Sequence, residues 1–67
     1  MTKATIHNIK TLPYTVNNYH ATHGVLSAAF PTEGSAIVSA KSKGSIPNSH
    51  TEVVHEPTGK VVFETST

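Results

Sequence analysis

The chain has 67 residues, which bounds it to one small domain, 1–67, whose core typically supplies only about 3–5 kcal/mol net. It has no cysteine, which excludes a disulfide or a thiolate-bound metal as a staple. Self-association, or docking on a larger partner, is then the natural way to gain stability. Five lysines balance four glutamates, and there is no arginine, the usual bidentate reader of guanine and a common phosphate clamp. Lys3, Lys10, Lys41, Lys43 and Lys60 are scattered rather than gathered into the basic stripe of a dedicated nucleic-acid binder. No apolar run is long enough for a signal peptide or a membrane span, so a cytoplasmic protein is expected.

Lys3 to Ile9 (KATIHNI) is a candidate first strand, loosely alternating and suited to an edge, broken by Thr11, Leu12 and Pro13. Tyr14 to Phe30 reads as a hairpin closed around Ala21, Thr22 and His23, with Gly24 taking a left-handed conformation. A type I turn with a glycine bulge sets Ala21 opposite Val25 and Val16 opposite Phe30. Tyr14, Val16, Leu26, Ala28 and Phe30 then share the core face. Thr15, Asn17, Tyr19, Val25, Ser27 and Ala29 share the other.

Pro31-Thr32 opens a helix, with Thr32 as cap and Glu33 suited to the positive end. The helix runs to about Lys43, with Gly44 as a C′ residue and Pro47 blocking continuation. Its buried stripe is Ala36, Ile37 and Ala40, small enough for close approach to a sheet. Glycine and serines make it weak by propensity, so it depends on tertiary packing. After the loop IPNSH, Thr51 to Glu56 and Lys60 to Thr65 form a last hairpin around Pro57-Thr58-Gly59. A glycine bulge sets His55 opposite Val61 and Val53 opposite Phe63 on the core face, leaving Val54 opposite Val62 on the reverse. The expected fold is α+β and two-layered: an antiparallel sheet with one helix on one face, in the order β-β-β-α-β-β. Phe63, Val53, Val61, Phe30, Leu26 and Val16 are expected to face the helix.

The second half resembles a family of short uncharacterised bacterial and phage proteins, a domain of unknown function. Its pattern of an aromatic and a threonine before an alanine-spaced helix, then Val-Val-His and a turn ending Gly-Lys, is met by Phe30, Thr32, Ala36, Ala40, Val53, Val54, His55, Gly59 and Lys60. Tyr14-Thr15-Val16 resembles its aromatic-x-Val strand. The resemblance implies the strand and helix order above and carries no activity. In size and element order the chain is also similar to small phage-encoded inhibitors, including anti-CRISPR proteins and an inhibitor of host RNA polymerase.

Five histidines (His7, His20, His23, His50, His55) invite a metal site, but their spacing offers no helical His pair and no Asp to complete a set. They read as surface groups. His55 is the exception, on the core face with a ring nitrogen bonded to backbone. No nucleophile motif, orienting Asp or paired acid supports catalysis. No enzyme activity, metal or cofactor is expected.

One helix covers one face of a sheet. The other face presents Tyr19, Val25, Ala29, Val54 and Val62 with Asn17 and Ser27 among them, an apolar patch with polar edges of the kind that marks interfaces. The expected function is therefore a non-enzymatic binding protein, in its most concrete form a phage or mobile-element inhibitor. It would occlude a surface of a host defence or transcription complex, a protein or a protein–nucleic-acid assembly. Asn17, Tyr19, Val54 and Val62 are the expected partner-binding residues, with Lys41, Lys43 and Lys60 meeting charged groups. The alternatives are a small nucleic-acid-binding module, with Tyr19 as stacking platform and the lysines on phosphates, or a structural homodimer.

Overall fold

The computed structural model describes residues 11–66. Four strands and one helix follow one another as β1 (Tyr14–His20), β2 (Gly24–Phe30), α1 (Glu33–Lys43), β3 (Ser49–His55) and β4 (Lys60–Ser66). They form one antiparallel sheet in the spatial order β2-β1-β3-β4. The described order is thus β-β-α-β-β. The additional strand expected at Lys3–Ile9 lies outside the described residues.

The helix seats itself on the two central strands. Ala36 and Ala40 are fully buried against Val16 of β1 and Val53 of β3, and Tyr14, Phe30, Ile37, Val62 and Phe63 pack around them. Methyl-sized side chains let a helix approach a sheet closely, and this core depends on that. Thr32 caps the helix in an extended conformation, its hydroxyl accepting from the Ser35 amide at 3.2 Å. At the other end Gly44 caps in a right-handed conformation, φ −65°, rather than the left-handed one a C′ glycine usually takes. Space, not backbone angle, demands glycine here. A Cβ would stand 2.6 Å from Thr65 Cγ2 and 3.1 Å from the Ala40 carbonyl. Gly44→Ala is therefore expected to cost about 1–3 kcal/mol. Thr65→Ser, which removes the obstructing methyl, should recover most of it in the double variant, as read by urea unfolding.

Both hairpins depart from the expected register, with different consequences. In the first, Tyr14 pairs with Phe30 and His20 with Gly24, two residues away from the expected alignment. A slip of two preserves the face of every side chain, so the expected division between core and reverse stands. The turn is closed by a side chain: His20 Nδ1 accepts from the amides of Thr22 and His23 at 3.0 and 3.1 Å, and its ring stacks on His23 at 4.3 Å. Gly24 takes a positive φ of 85° beside it.

In the second hairpin the bulge sits in the strand rather than at Gly59. His55 pairs with Lys60 and Val54 with Val61, whereas Val53 still pairs with Phe63. Val62 is the extra residue. One inserted residue reverses the facing of what lies between it and the turn. Val61, expected under the helix, is therefore 44% exposed on the reverse face. Val62, expected on the reverse opposite Val54, packs against the core. Leu26 is a further correction. It lies on the helix side by register but is 59% exposed and outside the core cluster.

Candidate protein-binding face

The sheet face away from the helix is built of three cross-strand rows. At the end near the β1–β2 turn, Val25, Tyr19, His50 and Ser66 lie side by side. The middle row is Ser27, Asn17, Glu52 and Glu64. The last is Ala29, Thr15, Val54 and Val61. A polar row thus runs between a mixed row and an apolar one, and each side chain is placed there by strand alternation.

The polar row is internally bonded. Ser27 donates its hydroxyl to Asn17 Oδ1 at 2.6 Å, and Asn17 Nδ2 donates to Glu52 Oε2 at 3.1 Å. Tyr19 donates its phenol to the same carboxylate oxygen at 2.8 Å. The Tyr19 ring stacks on His50, and His50 Nε2 lies 3.2 Å from Glu64 Oε2. All four strands contribute, so the side chains are held in fixed positions before any partner arrives. Pre-ordered side chains lower the entropy cost of association.

The bond to Glu52, joined by desolvation and the nearby negative charge, holds the Tyr19 phenol above its ordinary ionisation range. Glu52→Gln removes the charge and weakens the acceptor. Ultraviolet titration of the tyrosinate band should then show one ionisation moving down toward about pH 10, the ordinary tyrosine value. Because the folded value is the raised one, this contact's stability is present at neutral pH and is lost as pH climbs through the alkaline range.

Asn17, Tyr19 and Val54 lie on this face as expected, and Val62 does not. Val61 takes its place beside Val54, a substitution that only the position of the bulge reveals. The lysines are not gathered with them. Lys41 and Lys43 belong to the last turn of α1, on the other layer, and Lys60 lies at the β3–β4 turn, paired with His55. The described residues of the open face carry two carboxylates, Glu52 and Glu64, and no lysine. His55 reaches the Thr58 hydroxyl at 2.9 Å, rather than backbone, and lies against the Tyr14 ring.

Thr15 has a distinct place. It is buried to 4% exposure between Ala29 and Val54, and its hydroxyl has no hydrogen-bond partner. At the far end, Tyr19, His20, Asn48, His50 and Ser66 border a broad, shallow hollow of about 400 Å³ that opens directly to the surface. Among the described residues no three histidine or acidic side chains converge to hold a metal ion, and no helix is long and apolar enough to cross a membrane. No protein-family model matches the chain, and neither a curated protein nor a solved structure does so.

Proposed function

We propose that this chain is a non-enzymatic binding protein that docks on a protein partner through the open face of its sheet. The observation that carries this reading is the bonded polar row Ser27–Asn17–Glu52, tied to Tyr19 of the next row through Glu52 and flanked by Val25 on one side and Val54 and Val61 on the other. The polar row through the middle departs from the apolar patch with polar edges that the sequence led us to expect, so Tyr19, favoured as an anchor, and the valines beside it supply the apolar contact while the bonded polar groups supply specificity. Glu52 and Glu64 suit a partner surface that presents lysine or arginine. The same two carboxylates oppose phosphate, and the lysines that were to hold it lie elsewhere. A protein surface is therefore favoured over direct nucleic-acid binding.

The most concrete form of the reading is an inhibitor encoded by a phage or mobile element. A small domain of this kind works by covering a surface, with no chemistry of its own, and basic surfaces are what host defence and transcription complexes offer to nucleic acid. Affinity capture from bacterial lysate tests it with three baits: the native chain, a Tyr19→Ala/Val61→Glu double variant on the open face, and Val38→Glu on the outer side of the helix. A partner held by the native chain and by Val38→Glu but lost from the double variant supports the reading. A partner that survives the double variant, or is lost with Val38→Glu instead, overturns it.

A further inference from the structure

Among the described residues the sheet has two edges, β2 and β4, and they differ in a way that points to a second interaction surface. An edge strand exposes a row of unpaired amides and carbonyls, and proteins ordinarily blunt it with charge, proline or a bulge. β4 has such protection: a bulge at Val61–Val62, Lys60 at its start and Glu64 within it. β2 has none. Its seven residues, GVLSAAF, include no charged residue and no proline, and it pairs with β1 without interruption. Val25 and Leu26 project from opposite faces of it and are 54% and 59% exposed.

The sequence of β2 is also complementary to itself. Antiparallel pairing of two copies centred on Ser27 sets Leu26 opposite Ala28, Val25 opposite Ala29 and Gly24 opposite Phe30. Every large side chain meets a small one, and opposed residues share a face, as the pleat requires. No like charges meet along the strand. Pairing two β4 edges about their centre instead brings the two copies of Glu64 close together.

We propose that β2 is the dimerisation edge of this protein. Two copies pair antiparallel about Ser27 to make one continuous eight-stranded sheet. The two-fold axis is perpendicular to that sheet, so both helices lie on one side and both open faces on the other. The pairing uses the backbone edge of β2; Ser27 at its centre also ends the polar row proposed to meet a protein partner, yet either interaction can fail without the other. A seven-residue pairing buries less than the roughly 1,200 Å² at which standard interfaces begin, so the dimer exchanges with monomer.

The native chain is followed by sedimentation equilibrium from about 5 µM to about 1 mM, the span in which an interface below standard size dissociates. The expected result is a monomer–dimer equilibrium that Leu26→Lys and Leu26→Glu each weaken by about tenfold or more, because the two introduced charges lie diagonally across the pairing. Mixing the two variants should restore association. Since the chain has no cysteine, Ser27→Cys supplies a single thiol at the two-fold axis. It should form a disulfide-linked dimer on mild oxidation much faster than Val38→Cys on the exposed side of the helix. Circular dichroism checks that each variant is folded. A chain that stays monomeric at the highest concentration overturns the proposal. So does a dimer indifferent to both Leu26 charges, or one in which Ser27→Cys cross-links no faster than Val38→Cys.

Discussion

Thr51→Val should cost about 1–3 kcal/mol although it hardly changes the shape of the side chain. Thr51 is fully buried under the helix, and its hydroxyl accepts from Asn18 Nδ2 at 2.8 Å. Asn18 is itself 1% exposed. Removing the hydroxyl leaves an amide donor in a dry site with nothing to bond, and the cost is that of desolvation rather than of one average hydrogen bond. For a domain holding about 3–5 kcal/mol in total, this is a large share. The double variant Asn18→Leu/Thr51→Val removes both partners and should return most of the loss. The same exchange at Thr15 should have the opposite sign. The Thr15 hydroxyl is already buried without a partner, so Thr15→Val discards an unmet group and is expected to stabilise. Urea unfolding of the three variants checks the set, and a loss at Thr51 that persists in the double variant would place it in packing rather than in the buried bond.

The Asn18–Thr51 pair also marks where sequence pattern stops being informative. Alternation from Tyr14 and Val16 puts Asn18 on the helix side, and alternation back from Val53 puts Thr51 there. Their polarity argues against burial, and only the pairing of β1 with β3 across 33 residues shows that each satisfies the other. Local chemistry was more direct. Thr32 before a glutamate gave the helix start, and alanine spacing gave the buried stripe that Ala36 and Ala40 now fill. Gly59 correctly signalled positive φ. It did not locate the bulge, because four valines in two adjacent pairs read equally well in either register. One inserted residue at Val62 therefore exchanged the roles of Val61 and Val62. Asn48, held at φ 59° while its carbonyl accepts from the Ala21 amide, had no sequence signal beyond its residue type. Of the open face, Asn17, Tyr19 and Val54 were legible by period alone. Their linkage through Glu52 was not, because it depends on a strand neighbour distant in sequence.

Ala40→Leu is expected to lower the melting temperature by about 4–24 °C. The helix is poor by composition: Gly34 and serines at 35, 39 and 42 give it little stability of its own, so contact with the sheet must hold it. Ala40 has no exposed surface, and Val16 and Val53 belong to the same buried cluster. Three added carbons have nowhere to go unless the helix lifts, at a cost of about 1–3 kcal/mol, and each kcal/mol shifts the melting point of a domain this size by about 4–8 °C. Val38→Leu adds bulk where the side chain is 70% exposed and should leave the transition in place. Gly34→Ala, at a position where a new Cβ meets nothing within 4 Å, should raise it through the helix backbone alone. Thermal unfolding followed by circular dichroism reads all three. The Ala40 result bears on architecture as well as on stability. Among the described residues the helix lies on one side of the sheet only, and an Ala40→Leu chain that melts like the native one would show that its alanines are not what seats it there.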